Sequence, residues 1–124
     1  MSIIRLSEAP RFELPGLEFT ALAAPSRGSA GLCTWRLAVA AGVVSPAPHT
    51  IDHDEVFMVM SGSVRLAADG ELLHAGDTAV VPAGTEILLS NPGDTPAEVI
   101  VAIRAGFTAK GADGTPIGTP PWAL

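Results

Sequence analysis

The chain is short of charge and of cysteine, and each shortage excludes something. Only 16% of its 124 residues are charged, seven of them Lys or Arg against 13 Asp or Glu, giving a formal net charge of -6. The basic residues are scattered, and the isoelectric point lies near 4.8. Nucleic acid is held by clustered Lys and Arg that neutralise phosphates, so no nucleic-acid partner is expected. A single cysteine, Cys33, rules out a disulfide within the chain. With no His, Asp or Lys near it in sequence, its thiol reads as packing rather than as a nucleophile. No apolar run reaches the roughly 18 to 20 residues of a membrane-spanning helix, so no membrane association is expected. The first residues lack the basic segment and apolar stretch of a secretory signal, so a cytoplasmic protein is expected.

Hydrophobic residues make up 48% of the chain. That content suits one domain with one sizeable core, and its apolar excess points to a homodimer in which a second copy covers one sheet face. Helix signals are nearly absent. Gly and Pro punctuate short segments rich in Val, Ile, Leu, Thr and Ala, an all-β pattern. Strands are predicted at 12–14, 17–23, 33–40, 49–61, 63–67, 71–74, 78–81, 86–90 and 98–105. Asp69-Gly70 predicts a two-residue hairpin turn between antiparallel strands, and Asn91-Pro92-Gly93-Asp94 a second turn. The tail from 107 to 124 reads as extended, with Trp122 and Leu124 able to dock it. Periodicity alone leaves a sandwich, a jelly roll and a closed barrel open.

Polar chemistry concentrates at one place. His49, Ile51, His53 and Glu55 occupy alternate positions, which share one face in an extended strand. Asp52 and Asp54 beside them read as solvated, and His74 as an exposed turn residue. Trp35 and Arg36 alternate, so one faces inward and the other outward. An inward Arg36 would pair with Glu55 or bind a substrate carboxylate; the other reading is a surface arginine.

Residues 42–62 run Gly42, six residues, His49, x, Ile51, three residues, Glu55, six residues, Gly62. Residues 76–91 run Gly76, five residues, Pro82-x-Gly84, two residues, Ile87, three residues, Asn91. The two blocks resemble the first and second motifs of the cupin superfamily. The resemblance implies a small antiparallel β-barrel or jelly roll over residues 1–124. Carried over position by position, the family's metal ligands fall on His49, Ile51, Glu55 and Ile87, so isoleucine replaces two of the four.

His53 is then the candidate third ligand. In a regular strand it lies about 7 Å from Glu55 and about 13 Å from His49, and a bend near Ile51-Asp52 is needed to bring the two histidines together. A His49, His53 and Glu55 site of this kind would hold Zn, Ni, Mn or Fe, since N/O ligation does not separate these metals. It would serve isomerase, lyase or oxygenase chemistry on a small organic molecule. Ile51 and Ile87 make the cavity drier and narrower, with Phe57, Ile51, Ile87 and Arg36 shaping the substrate pocket. Two alternatives follow from the same residues. In one, Glu55 and His49 form a metal-free acid–base pair; in the other, the protein binds a ligand without chemistry.

Overall fold

Alternation along the strands sets the fold. In the computed structural model, which describes residues 1–124, β3 (Leu32–Val39) buries Cys33, Trp35, Leu37 and Val39 and leaves Thr34, Arg36 and Ala38 half-exposed. The strand β9 (Ala97–Arg104) buries Ala97, Val99, Val101 and Ile103, and β5 (Glu55–Ser61) buries Glu55, Phe57 and Val59. A pleated strand with apolar side chains on every second residue can bury only one face, so these faces turn together. With β1 (Arg11–Leu14), β2 (Leu17–Ala21) and β8 (Thr78–Val81) they form a six-stranded sheet in the order β1-β2-β3-β9-β5-β8. All its neighbours are antiparallel.

A three-stranded sheet, β11 (Pro116–Gly118), β10 (Ala109–Gly111) and β4 (His49–Ile51), supplies Ile51 and Ala109 to the same core. Ile87, Leu89 and Phe107 join them from loops, and the cluster counts 21 buried residues. Each large apolar side chain so removed from water contributes about 1.5–3 kcal/mol. A two-stranded ladder, β6 (Ser63–Val64) and β7 (Leu73–His74), completes the strands. No helix is long and apolar enough to cross a membrane. The architecture is an antiparallel jelly roll of separate sheets rather than a closed barrel.

The punctuating residues of the two motifs have visible jobs. Gly62 sits at φ 70°, and a Cβ there would fall 2.5 Å from the Pro96 carbonyl oxygen, so both conformation and space demand glycine. Asn91 is buried; its Nδ2 donates to the carbonyls of Val39 (3.2 Å) and Thr95 (2.9 Å), and its Oδ1 accepts from the Gly93 amide (3.0 Å). Asn91 thereby fastens the turn predicted there to the end of β3.

Four expectations change. The long strand predicted at 49–61 breaks at Asp52-His53-Asp54 into β4 and β5. The Asp52 carboxylate accepts from the Thr108 amide (2.8 Å) and hydroxyl (2.9 Å), and that of Asp54 accepts from the Ala83 amide (3.0 Å). These short acidic side chains bond to backbone outside the ladder and turn the chain. The hairpin at Asp69-Gly70 is wider than a two-residue turn, for neither residue has positive φ and pairing resumes only at Leu73. Residues 86–90 form isolated bridges instead of a strand, while the tail contains β10 and β11, which lack the apolar alternation that marks a strand in sequence.

Candidate active site

β4 carries His49 and Ile51 on one face, and the second motif closes against it. The His49 amide donates to the Ile87 carbonyl (3.1 Å), the Ile87 amide to the His49 carbonyl (2.8 Å), and the Gly84 amide to the Ile51 carbonyl (2.8 Å). Ile51 and Ile87 are buried, whereas His49 is half-buried. Glu55 opens β5 between Ile103 of β9 and Val81 of β8, both buried. The row runs Cys33, Ile103, Glu55, Val81, with the acid as its one ionisable carboxyl.

Glu55 is 2% exposed, and its Oε2 has no hydrogen-bond partner. Burial alone pushes its carboxyl up to about 8 from an ordinary 4.5. The same effect, burial, moves His49 below its ordinary range. Around neutral pH the interior therefore holds a protonated acid and a neutral imidazole, because aliphatic walls disfavour charge on either.

The three expected metal ligands do not gather. No group of three His, Cys, Asp or Glu side chains is placed to hold a metal ion. The reason is local: the break between β4 and β5 turns His53 onto Asp52, whose Oδ1 lies 2.9 Å from its Nδ1, and leaves its side chain 31% exposed. Asp52 is exposed, as expected, and also anchors His53 and Thr108; those contacts, Thr108 first, hold its carboxyl down at about 2. Catalytic metals generally take three protein ligands, and His49 with Glu55 supplies two. The residues present do not fit the family's metal.

Of the expected pocket residues, Ile51, Ile87 and Phe57 lie in the buried cluster. Arg36 does not line it. Trp35 takes the inward place, and Arg36 lies on the opposite sheet face in an ion pair with Glu98, as the surface alternative has it. His74 is exposed as expected. Cys33 is buried, its thiol pushed up mainly by burial, with Sγ donating to the Ala123 carbonyl (3.3 Å).

An aromatic group not foreseen as a unit lies on the same inner face: Phe12, Phe19, Trp35, Phe107 and Trp122. Its traces in sequence were the alternation of Trp35 with Arg36 and the reading of Trp122 as able to dock the tail; Trp122 docks, whereas Leu124 is exposed. Two surface clefts lie elsewhere, one beside Ile3, Arg5 and Arg27, the other beside Leu14, Ala38 and Pro96.

The family model described as "Cupin domain" matches residues 35–103, more than half of the chain. The chain belongs to the cupin family. No curated protein matches it. Among solved structures, this cupin is similar to a sugar phosphate isomerase from Silicibacter pomeroyi, at 22% identity over 90% of this chain and 82% of the other, with a TM-score of 0.71. It is similar to KdgF from a Halomonas species, at 22% identity over 84% of this chain and 93% of the other, TM-score 0.70. The polyketide cyclase RemF from Streptomyces resistomycificus shares 12% identity over 98% of this chain and 88% of the other, TM-score 0.75. At these identities the likeness is one of fold, and activity has to be argued from the interior of this cupin itself.

Proposed function

We infer that this cupin binds a small organic molecule in its interior and moves protons on it without a metal, using Glu55 as acid and His49 as base. The observation that carries the reading is the unpartnered, buried carboxyl of Glu55. A carboxylic acid kept neutral near pH 7 donates a proton well, and a neutral imidazole accepts one. The chemistry that suits such a pair is enolisation beside a carbonyl group. Glu55 gives its proton to the carbonyl oxygen while His49 removes one from the neighbouring carbon, and returning protons to the exchanged positions yields an isomer. Ile51 and Ile87 strengthen both steps by keeping water and its high dielectric out. An isomerase and a cyclase are built on the same fold.

The test is deuterium uptake from D2O at carbon next to carbonyl, followed by NMR over a panel of small hydroxyaldehydes, hydroxyketones and keto acids, with a chelator present. Uptake is expected with the chelator and is expected to fall at least about 100-fold in Glu55→Gln. Uptake unchanged in Glu55→Gln, or removed by chelator and restored by Zn, Ni, Mn or Fe, contradicts the reading. A bound molecule with no uptake would mark a binding protein.

The outer face of the six-stranded sheet is apolar around Val56, Met58, Ile100 and Ala102, with Val80 63% exposed beside them. In this reading a second copy of the chain covers it. Sedimentation velocity at micromolar concentration is expected to show a dimer that Met58→Lys disperses; a wild-type monomer contradicts it.

A further inference from the structure

The chain after β11 returns to the inner face of the large sheet and lays an indole on it. Trp122 stacks on Phe19 with ring centroids 3.8 Å apart and planes 13° from parallel. Phe12 lies 6.3 Å away and Trp35 stands edge-on at 6.4 Å. Ala123 behind it is buried against the Cys33 thiol.

Three features mark this segment as a removable occupant of the slot. First, no backbone hydrogen bond ties residues 119–124 to any strand; the one backbone bond within them runs from the Ala123 amide to the Pro120 carbonyl. They are held by side chains: Thr119 Oγ1 to the Phe107 carbonyl (2.6 Å), Arg27 Nη2 to the Trp122 carbonyl (3.0 Å), Cys33 to Ala123, and Ser26 to the Leu124 carbonyl. A segment outside the ladders, with prolines at 120 and 121, opens without breaking a sheet.

Second, the closed arrangement leaves Nε1 of both Trp35 and Trp122 buried without an acceptor. A buried donor left unpaired is costly, so this packing is incompletely satisfied. Withdrawal of the segment returns the Trp122 donor to water. An incoming oxygen atom would pair that of Trp35.

Third, the segment ends beside the strand row that holds Glu55. Cys33, which the segment touches, shares a cross-strand row with Glu55, one strand intervening, or about 10 Å by strand spacing.

We propose that Trp122 is the place-holder of a ligand slot formed by Phe12, Phe19 and Trp35, and that the ligand is a flat, uncharged aromatic compound bearing a carbonyl oxygen, which displaces residues 119–124. The stacking surface selects the ring, the free Trp35 donor selects the oxygen, and the dry interior that keeps Glu55 protonated selects against charge. The inference rests on the reading that the interior receives a small molecule, and it names the class of that molecule.

Trp35 and Trp122 are the two tryptophans of the chain and there is no tyrosine, so tryptophan emission reports on this slot alone. The probe is 2-acetylnaphthalene, with 2-ethylnaphthalene as the ring without an acceptor. In Trp122→Ala, quenching of Trp35 is expected to show 2-acetylnaphthalene bound at least tenfold more tightly than by the wild type, since the competing side chain is gone. 2-Ethylnaphthalene is expected to bind at least tenfold more weakly than the ketone. In the wild type, saturating ketone is expected to accelerate hydrogen exchange of the Ala123 amide, the one hydrogen-bonded amide of residues 119–124, a measurement that needs no variant to fold. Equal or weaker ketone binding in Trp122→Ala, equal affinity for the two probes, or unchanged exchange at Ala123 overturns the proposal. Because every readout is binding, the result is separate from whether Glu55 turns a substrate over.

Discussion

Replacing Glu55 by Gln is expected to make the protein more stable at pH 8.5 and to flatten its stability between pH 5 and 8.5. The folded carboxyl titrates near 8 and the unfolded one near 4.5. Between those values the folded state holds a proton that the unfolded state has lost, so the stabilising contribution is full below 4.5 and disappears as pH rises through 8. At 1.36 kcal/mol per pH unit, the wild type loses on the order of 5 kcal/mol across the window, an upper figure because a loosening interior admits water. Gln carries no titrating proton and fills nearly the same volume. His49, lowered by burial, acts in the opposite sense as pH falls below its ordinary 6.5, but it is present in both proteins and cancels from the difference. Asp52, held at about 2, acts only below the window. Urea denaturation at several pH values reads both curves. Parallel curves for wild type and Glu55→Gln contradict the burial argument.

The second large effect is a gain. The double variant Ile51→His, Ile87→His is expected to retain stoichiometric divalent metal, where the wild type retains none. Positions 49 and 87 face each other across an antiparallel bridge, a pairing that puts Cβ atoms about 5 Å apart. Position 51 follows 49 on the same face. With Glu55 these make the four ligand positions that the family pattern assigns, two of them refilled with imidazole. Without metal the variant is expected to be less stable than wild type by a few kcal/mol, because two imidazoles stand unpaired among aliphatic side chains. Metal at 100 times its dissociation constant returns about 2.7 kcal/mol. Loading also releases a proton, since Glu55 must ionise to ligate. Elemental analysis and thermal shift with and without Zn check this. Equal metal content in the two proteins would mean that the isoleucines are not what keeps metal out.

The motif residues were the legible part of the fold because each is fixed by local backbone chemistry. Gly62 has no space for a Cβ, and Asn91 satisfies three backbone groups at once. The inward direction of Glu55 follows from alternation with Phe57 and Val59, which a strand imposes. What sequence did not show is tertiary. Asp52 breaks the strand because Thr108, 56 residues later, comes within bonding distance, and that contact removes His53 from the site. Arg36 faces outward because Trp35 finds the aromatic group inside, a choice made by packing and not by period. β10 and β11 pair through backbone alone, with Lys110 opposite Pro116, so composition carried no strand signal.

The central claim is that Glu55 carries a proton inside this cupin near pH 7, and the measurement closest to it is a ¹³C NMR titration of the glutamate side-chain carboxyl carbons, with the Glu55 signal identified by its loss in Glu55→Gln. A midpoint near 8 is the expected result. A midpoint close to 4.5, the ordinary glutamate value, would show a hydrated carboxylate and contradict the account.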